Sequence, residues 1–93
     1  MDRIGRLKIF VRIAASGSFA AAADQMGLPR ATVSIAIQQL EAQLGVRLLN
    51  RTTRRVGLTQ DGEALLDRAT TLLADLEDME QQFRPAGGEV VGK

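Results

Sequence analysis

Arg30, Thr32, Ser34 and Gln38 fall within nine residues, and no acid lies among them. Together they offer the donors and acceptors that read base edges in a DNA major groove. Arginine pairs with guanine, glutamine with adenine, and serine or threonine with several edges. A second group, Arg51, Arg54 and Arg55, places three arginines in five residues, again without an acid. Extended arginines of this kind clamp phosphates or enter a minor groove. Other chemistry is poorly supplied. The chain has no Cys and no His, so disulfides and the usual zinc sites are excluded and no metal or cofactor is expected. Catalysis would fall to carboxylates, but Asp61, Glu63, Asp67 and the acids from Asp75 to Glu80 read as helix cap or solvated helix surface. An enzyme is therefore not expected.

The first group must be positioned by the stretch from Ser18 to Leu44, which reads as two helices about a tight turn. Phe19, Ala22, Ala23 and Met26 share one helical face, as do Val33, Ile37, Leu40 and Leu44. Gly27-Leu28-Pro29 separates them. Glycine closes a helix in the left-handed conformation, and proline is accepted only in a first turn. The pattern is a helix-turn-helix. With Pro29 at the first helical position, Leu28 becomes the N-cap, a poor one, and Thr32 is the side chain available to satisfy a free amide.

Before this motif, Asp2 is placed to cap a helix starting near Arg3, with Ile4, Leu7, Phe10, Val11 and Ala14 as its buried stripe. Gly5 inside its first turns costs up to about 1 kcal/mol relative to Ala. Gly17 closes it and Ser18 caps the next helix, leaving almost no loop. After Gly45 the helical period disappears. Leu48 to Arg51 and Arg55 to Leu58 read as two short strands with Thr52 to Arg54 as their turn. Such a hairpin following a helix-turn-helix is a wing, and it would display the arginine group near its tip.

Thr59 reads as the N-cap of a last helix, with Asp61 and Glu63 suited to its positive end. Leu65, Ala69, Leu72, Leu76, Met79 and Phe83 recur at heptad spacing, and Leu66 and Leu73 widen the stripe. From Gln60 to Phe83 the helix would span about 36 Å, more than the three preceding helices can cover. Its first turns can fold over the domain around Leu65 and Leu66. The seam beyond must be buried elsewhere, and the same helix of a second chain is the fitting partner. Pro85 stops the helix, and residues 85–93 read as a flexible hinge.

Ninety-three residues, 45% of them hydrophobic, suffice for one small core. A net charge of +1 conceals an asymmetry. Residues 1–60 hold nine Lys or Arg against three acids, whereas residues 61–93 hold three against eight. The first part attracts a polyanion and the second repels one. No apolar run approaches a membrane span of about 18 residues, and no signal peptide pattern is present. The chain is accordingly expected in the cytoplasm, without a membrane partner.

The run SGSFAAAADQMGLPRATVS, followed by IQQLEAQLGVRLLNRTTRRVGLTQDG and the long helix, resembles the amino-terminal part of LysR-type transcriptional regulators. The resemblance extends from Asp2 to Phe83. It implies a winged helix-turn-helix, a linker helix that pairs with a partner's, and a hinge leading to an effector-binding domain that this sequence lacks. By that resemblance Arg30, Ala31, Thr32, Ser34, Ile35 and Gln38 occupy recognition-helix contact positions, and Arg51, Arg54 and Arg55 the wing. Two residues depart from the family pattern. Ile35 stands where an arginine is very common, and Pro29 where a capping serine is common.

The expected architecture is mainly α, with three helices and a two-stranded β-hairpin wing followed by a long dimerisation helix. Residues 1–58 form the DNA-binding domain, 59–84 the linker and dimerisation helix, and 85–93 the hinge. The expected function is sequence-specific binding of double-stranded DNA carrying two half-sites. Phosphates would be held at Ser18, Thr59 and the arginines. The homodimer would form through residues 60–83, with Leu65, Ala69, Leu72, Leu73, Leu76, Met79 and Phe83 at its interface. Higher assembly is open in the intact protein, and a small-molecule effector would act only through the missing domain. The competing reading is a helical protein-interaction module without DNA binding.

Overall fold

The computed structural model describes residues 1–51 and 56–84, with Arg51 through its backbone alone. Four helices and one hairpin follow in the order α1 (Arg3–Ser16), α2 (Phe19–Met26), α3 (Arg30–Leu44), β1 (Leu49–Arg51), β2 (Val56–Leu58) and α4 (Gln60–Gln82). The architecture is the expected winged helix-turn-helix with a long final helix.

Local chemistry sets most of the boundaries. The Asp2 carboxylate accepts the Gly5 N–H at 2.7 Å, the Ser18 hydroxyl oxygen accepts the Ala21 N–H at 3.1 Å, and the Thr59 hydroxyl oxygen accepts the Gly62 N–H at 2.9 Å. Each satisfies an amide that a helix start leaves unpaired. Gly27 closes α2 at φ 67°, a conformation that side-chain-bearing residues rarely adopt. The next amide, of Leu28, returns to the Ala23 carbonyl at 2.9 Å and turns the chain tightly toward α3. Here the structure corrects the sequence reading. Pro29, and not Leu28, is the N-cap of α3, and no side chain caps this helix. The Pro29 carbonyl instead accepts the Thr32 and Val33 amides at 3.1 and 3.3 Å.

The core is built around α1. Ile9, Phe10 and Ile13 are completely buried, and they join Ala22 and Ala23 of α2, Val33, Ala36, Ile37 and Leu40 of α3, and Leu48 and Leu49 at the hairpin. The expected stripe of α1 was too narrow. Ile9 and Ile13 lie at its centre, because α2, α3 and α4 all pack on this one helix and bury a wide face. Leu44, expected on the inner face of α3, is exposed because the helix has run past the core by its last turn.

The antiparallel strands pair Leu49 with Leu58, Asn50 with Gly57 and Arg51 with Val56. Leu48, expected in the first strand, stands outside it. Its carbonyl still accepts the Thr59 N–H in register with the hairpin, but its own N–H is diverted to the Glu41 carboxylate, so the pairing stops there. The expected turn, with Arg54 and Arg55, lies outside the described residues, as does the expected hinge.

The start of α4 passes so close to the hairpin base that a Cβ at Gly62 would collide with the Leu48 carbonyl oxygen. That oxygen belongs to backbone and cannot swing aside. Alanine favours a helix over glycine by up to about 1 kcal/mol, yet Gly62→Ala should lower stability by about 1–3 kcal/mol through overpacking. Urea unfolding will read this as a lower midpoint at unchanged slope. An unchanged or raised midpoint contradicts the close approach.

Candidate nucleic-acid interface

With about 3.6 residues per turn, the inner side of α3 is set by Val33, Ala36, Ile37 and Leu40. The opposite side carries exposed Ala31, Ile35 and Gln38, flanked by exposed Arg30 and half-buried Ser34 on one edge and half-buried Thr32 on the other. All six expected recognition residues therefore belong to one helix, and its amino-terminal half presents them. The only acid of α3, Glu41, is withdrawn from this face. Its carboxylate accepts the Leu48 N–H at 2.8 Å and the Leu49 N–H at 3.3 Å. A polyanion approaching α3 thus meets hydrogen-bonding and aliphatic groups without an outward carboxylate.

Glu41 was not singled out in the sequence, although a signal was present. It is the one acid between Asp24 and Asp61, in the middle of the basic half. Its bonds tie the reading helix to the hairpin. The hairpin base is held from other sides as well. The Val56 N–H donates to the Gly17 carbonyl at 3.4 Å, and the Thr59 N–H to the Leu48 carbonyl at 3.0 Å. The Thr59 hydroxyl donates to the Arg47 carbonyl at 2.6 Å, and the Arg47 guanidinium donates to the Leu49 carbonyl at 3.3 Å.

These bonds bear on the expected phosphate contacts. Thr59 spends its hydroxyl hydrogen on Arg47 and its oxygen on Gly62. Ser18, half-buried, uses its oxygen for the α2 cap. Arg51 is placed by its backbone opposite Val56, at the last described pair of the hairpin, while Arg54 and Arg55 lie outside the described residues.

On α4 the expected pairing seam divides in two. Ala69 is 1% exposed, buried against its own chain, and Leu65 and Leu66 are half-buried against the core. This corrects the seam: Ala69 is not available to a partner, because α4 lays that side along α1. Leu73 and Leu76 are half-buried beside Lys8 of α1. Leu72, Met79 and Phe83, exposed by 49%, 52% and 78%, remain outside. Among the described residues no group of three or more His, Cys, Asp or Glu could hold a metal ion, and no helix is long and apolar enough to cross a membrane.

Comparison with known proteins agrees with this geometry. The model of the bacterial regulatory helix-turn-helix proteins of the lysR family matches residues 4–63. An HTH-type transcriptional repressor of Pseudomonas aeruginosa is 43% identical over all 93 residues, which cover 29% of its length. The HTH-type transcriptional regulator YhjC of Escherichia coli is 42% identical over 93 residues, covering 31% of its length. The chain thus spans about a third of the curated relatives it matches. Among solved structures, the BenM DBD in its complex with catB site 1 DNA has a TM-score of 0.84 at 33% identity, over 88% of this chain and 90% of that one. The CbnR DBD in a DNA complex has a TM-score of 0.83 at 34% identity, over 88% and 93%.

The two Glu41 bonds yield a stability test. Glu41→Ala leaves two amides of the buried Leu48 and Leu49 without their acceptor and should cost about 1–3 kcal/mol. Glu41→Gln retains an acceptor oxygen and should lose clearly less. Equal losses for both variants in urea unfolding would remove the acceptor role.

Proposed function

The chain belongs to the lysR family of bacterial regulatory helix-turn-helix proteins, and from that premise we propose that it binds double-stranded DNA sequence-specifically as a homodimer. Residues 1–58 are the reading head, 59–84 the pairing helix and 85–93 a hinge. The observation that carries the proposal is the outer face of α3, where Arg30 and Gln38 are exposed beside half-buried Thr32 and Ser34 while Glu41 is engaged with backbone amides. A helix of this kind seats its amino-terminal residues against base edges in the major groove. Solved relatives of the same fold are DNA complexes, which supports the same partner here.

Within this reading Arg30, Thr32, Ser34 and Gln38 contact base edges, and Arg51, Arg54 and Arg55 hold phosphates from the wing. Ser18 contributes at the phosphates through the helix start it caps, since its side-chain oxygen is engaged within the chain, as is that of Thr59. The positive end of α2 favours an anion nearby, whereas that of α4 is already matched by Asp61 and Glu63 in its first turn. Pairing uses Leu72, Met79 and Phe83, with Leu65, Leu73 and Leu76 at the margin. A second copy of α4 supplies the same apolar stripe and so covers them symmetrically. Two reading heads then face two half-sites.

The exposed stripe of α4 also fits a protein-interaction module that ignores DNA. A mobility shift with random-sequence duplex at low salt separates the two readings: DNA binding requires a shift, and its absence from a folded dimer establishes the alternative. Arg54→Ala should weaken binding to all duplexes and reduce the salt slope by about 1, whereas Gln38→Ala should change which duplexes are preferred and leave the slope intact. Identical slopes for wild type and Arg54→Ala contradict the wing assignment. Met79→Asp should turn the dimer into a monomer in sedimentation while preserving the helical spectrum, because Met79 has no part in the core. A variant that still sediments as a dimer removes α4 from the interface.

A further inference from the structure

Among the described residues, six large hydrophobic side chains are exposed: Met1, Ile35, Leu44, Leu72, Met79 and Phe83. Three lie on the outer stripe of α4 and Leu44 ends α3, so the proposed function leaves Met1 and Ile35 unexplained. They adjoin. Met1, Thr32, Ile35, Ala36 and Gln39 line one shallow groove on α3. Ile35 is 50% exposed, although the helix has a fully formed inner side that would bury it one position away.

Its direction is informative. At about 100° per residue, Ala31, Ile35, Gln38 and Ala42 lie within about 30° of the direction opposite the core-facing set. Three of these four outermost positions are aliphatic, and all four are exposed. The polar residues Arg30 and Ser34 stand to one side of this line, Thr32 and Gln39 to the other. Beside Gln38, the centre of the reading face is therefore aliphatic, and Ile35 is its one large side chain. Against a base pair, an aliphatic side chain has one specific complement in the major groove, the C5-methyl group of thymine.

Resting on the DNA-binding reading, we propose that Ile35, backed by Ala31 and the Met1 side of the groove, determines specificity by packing on a thymine methyl group in each half-site. Gln38 on the same line, and Arg30 and Ser34 beside it, then read neighbouring positions by hydrogen bonding. Contact with the methyl removes two aliphatic groups from water together. It also gives the position a preference for thymine that no hydrogen bond would supply. The basic half of the chain brings the duplex to this face.

Duplexes selected by the protein from a random pool supply the probe. Each thymine is replaced in turn by deoxyuridine, which keeps every hydrogen-bonding group and loses only the methyl. One thymine per half-site should respond, with a loss of about fourfold in affinity for one methyl group. Ile35→Ala should bind the thymine and deoxyuridine duplexes equally, with unchanged thermal stability because Ile35 lies outside the core. Affinity of the wild type that is indifferent to every replacement overturns the inference while the DNA-binding reading stands. So does an Ile35→Ala variant that keeps the discrimination. An Ile35→Ala chain that loses its dimer places this face at a protein contact and also overturns it. Failure to bind any duplex overturns both readings at once.

Discussion

The buried face of α1 is the constraint on which the rest of this small structure depends. Ile9, Phe10 and Ile13 are fully buried in it, and α2, α3 and α4 all pack on this one helix. Ninety-three residues cannot build a second core. The inner side of the reading helix and the root of the pairing helix therefore share a single set of contacts. Any tilt of α1 would move both, which makes the angle between the proposed DNA-facing and partner-facing surfaces a property of the core itself. Gly62 shows how closely this is drawn, since α4 approaches the Leu48 carbonyl nearer than any side chain would allow.

The hairpin has too few residues to stand alone, and polar bonds from three helices hold it in place. Glu41 reaches it from α3, Gly17 from the junction of α1 and α2, and Thr59 from the start of α4. Two short strands are marginal by themselves, so these attachments decide where the wing projects. Glu41 serves a second end. By binding backbone amides it keeps the one carboxylate of α3 off the surface offered to a polyanion.

Much of this was legible in the chain. Asp2, Ser18 and Thr59 at helix starts, and Gly17, Gly27 and Gly45 at helix ends, act through neighbours three or four residues away, so their signals are local. Contacts between distant segments were not legible. Ile9 and Ile13 look like ordinary apolar residues until three helices converge on them, and Gly62 looks like an ordinary helix-start glycine until the hairpin arrives. Ala69 fits the heptad by spacing, yet α1 occupies that side of α4. At Pro29 the expectation followed the general preference for proline in a first turn, whereas the chain uses Pro29 as the N-cap and α3 starts one residue later than expected.

A chain of nearly neutral net charge is thus divided between a basic head that presents α3 and an acidic helix that turns its remaining leucine, methionine and phenylalanine side chains away from the core. The central claim is that α3, and not α4, meets the nucleic acid. Amide chemical-shift mapping of the folded chain on titration with a selected duplex tests it residue by residue. The account predicts that the largest changes fall on residues 30–38 and that those beyond Asp75 stay in place. Changes concentrated on the outer stripe of α4, or spread without preference over the molecule, would contradict it.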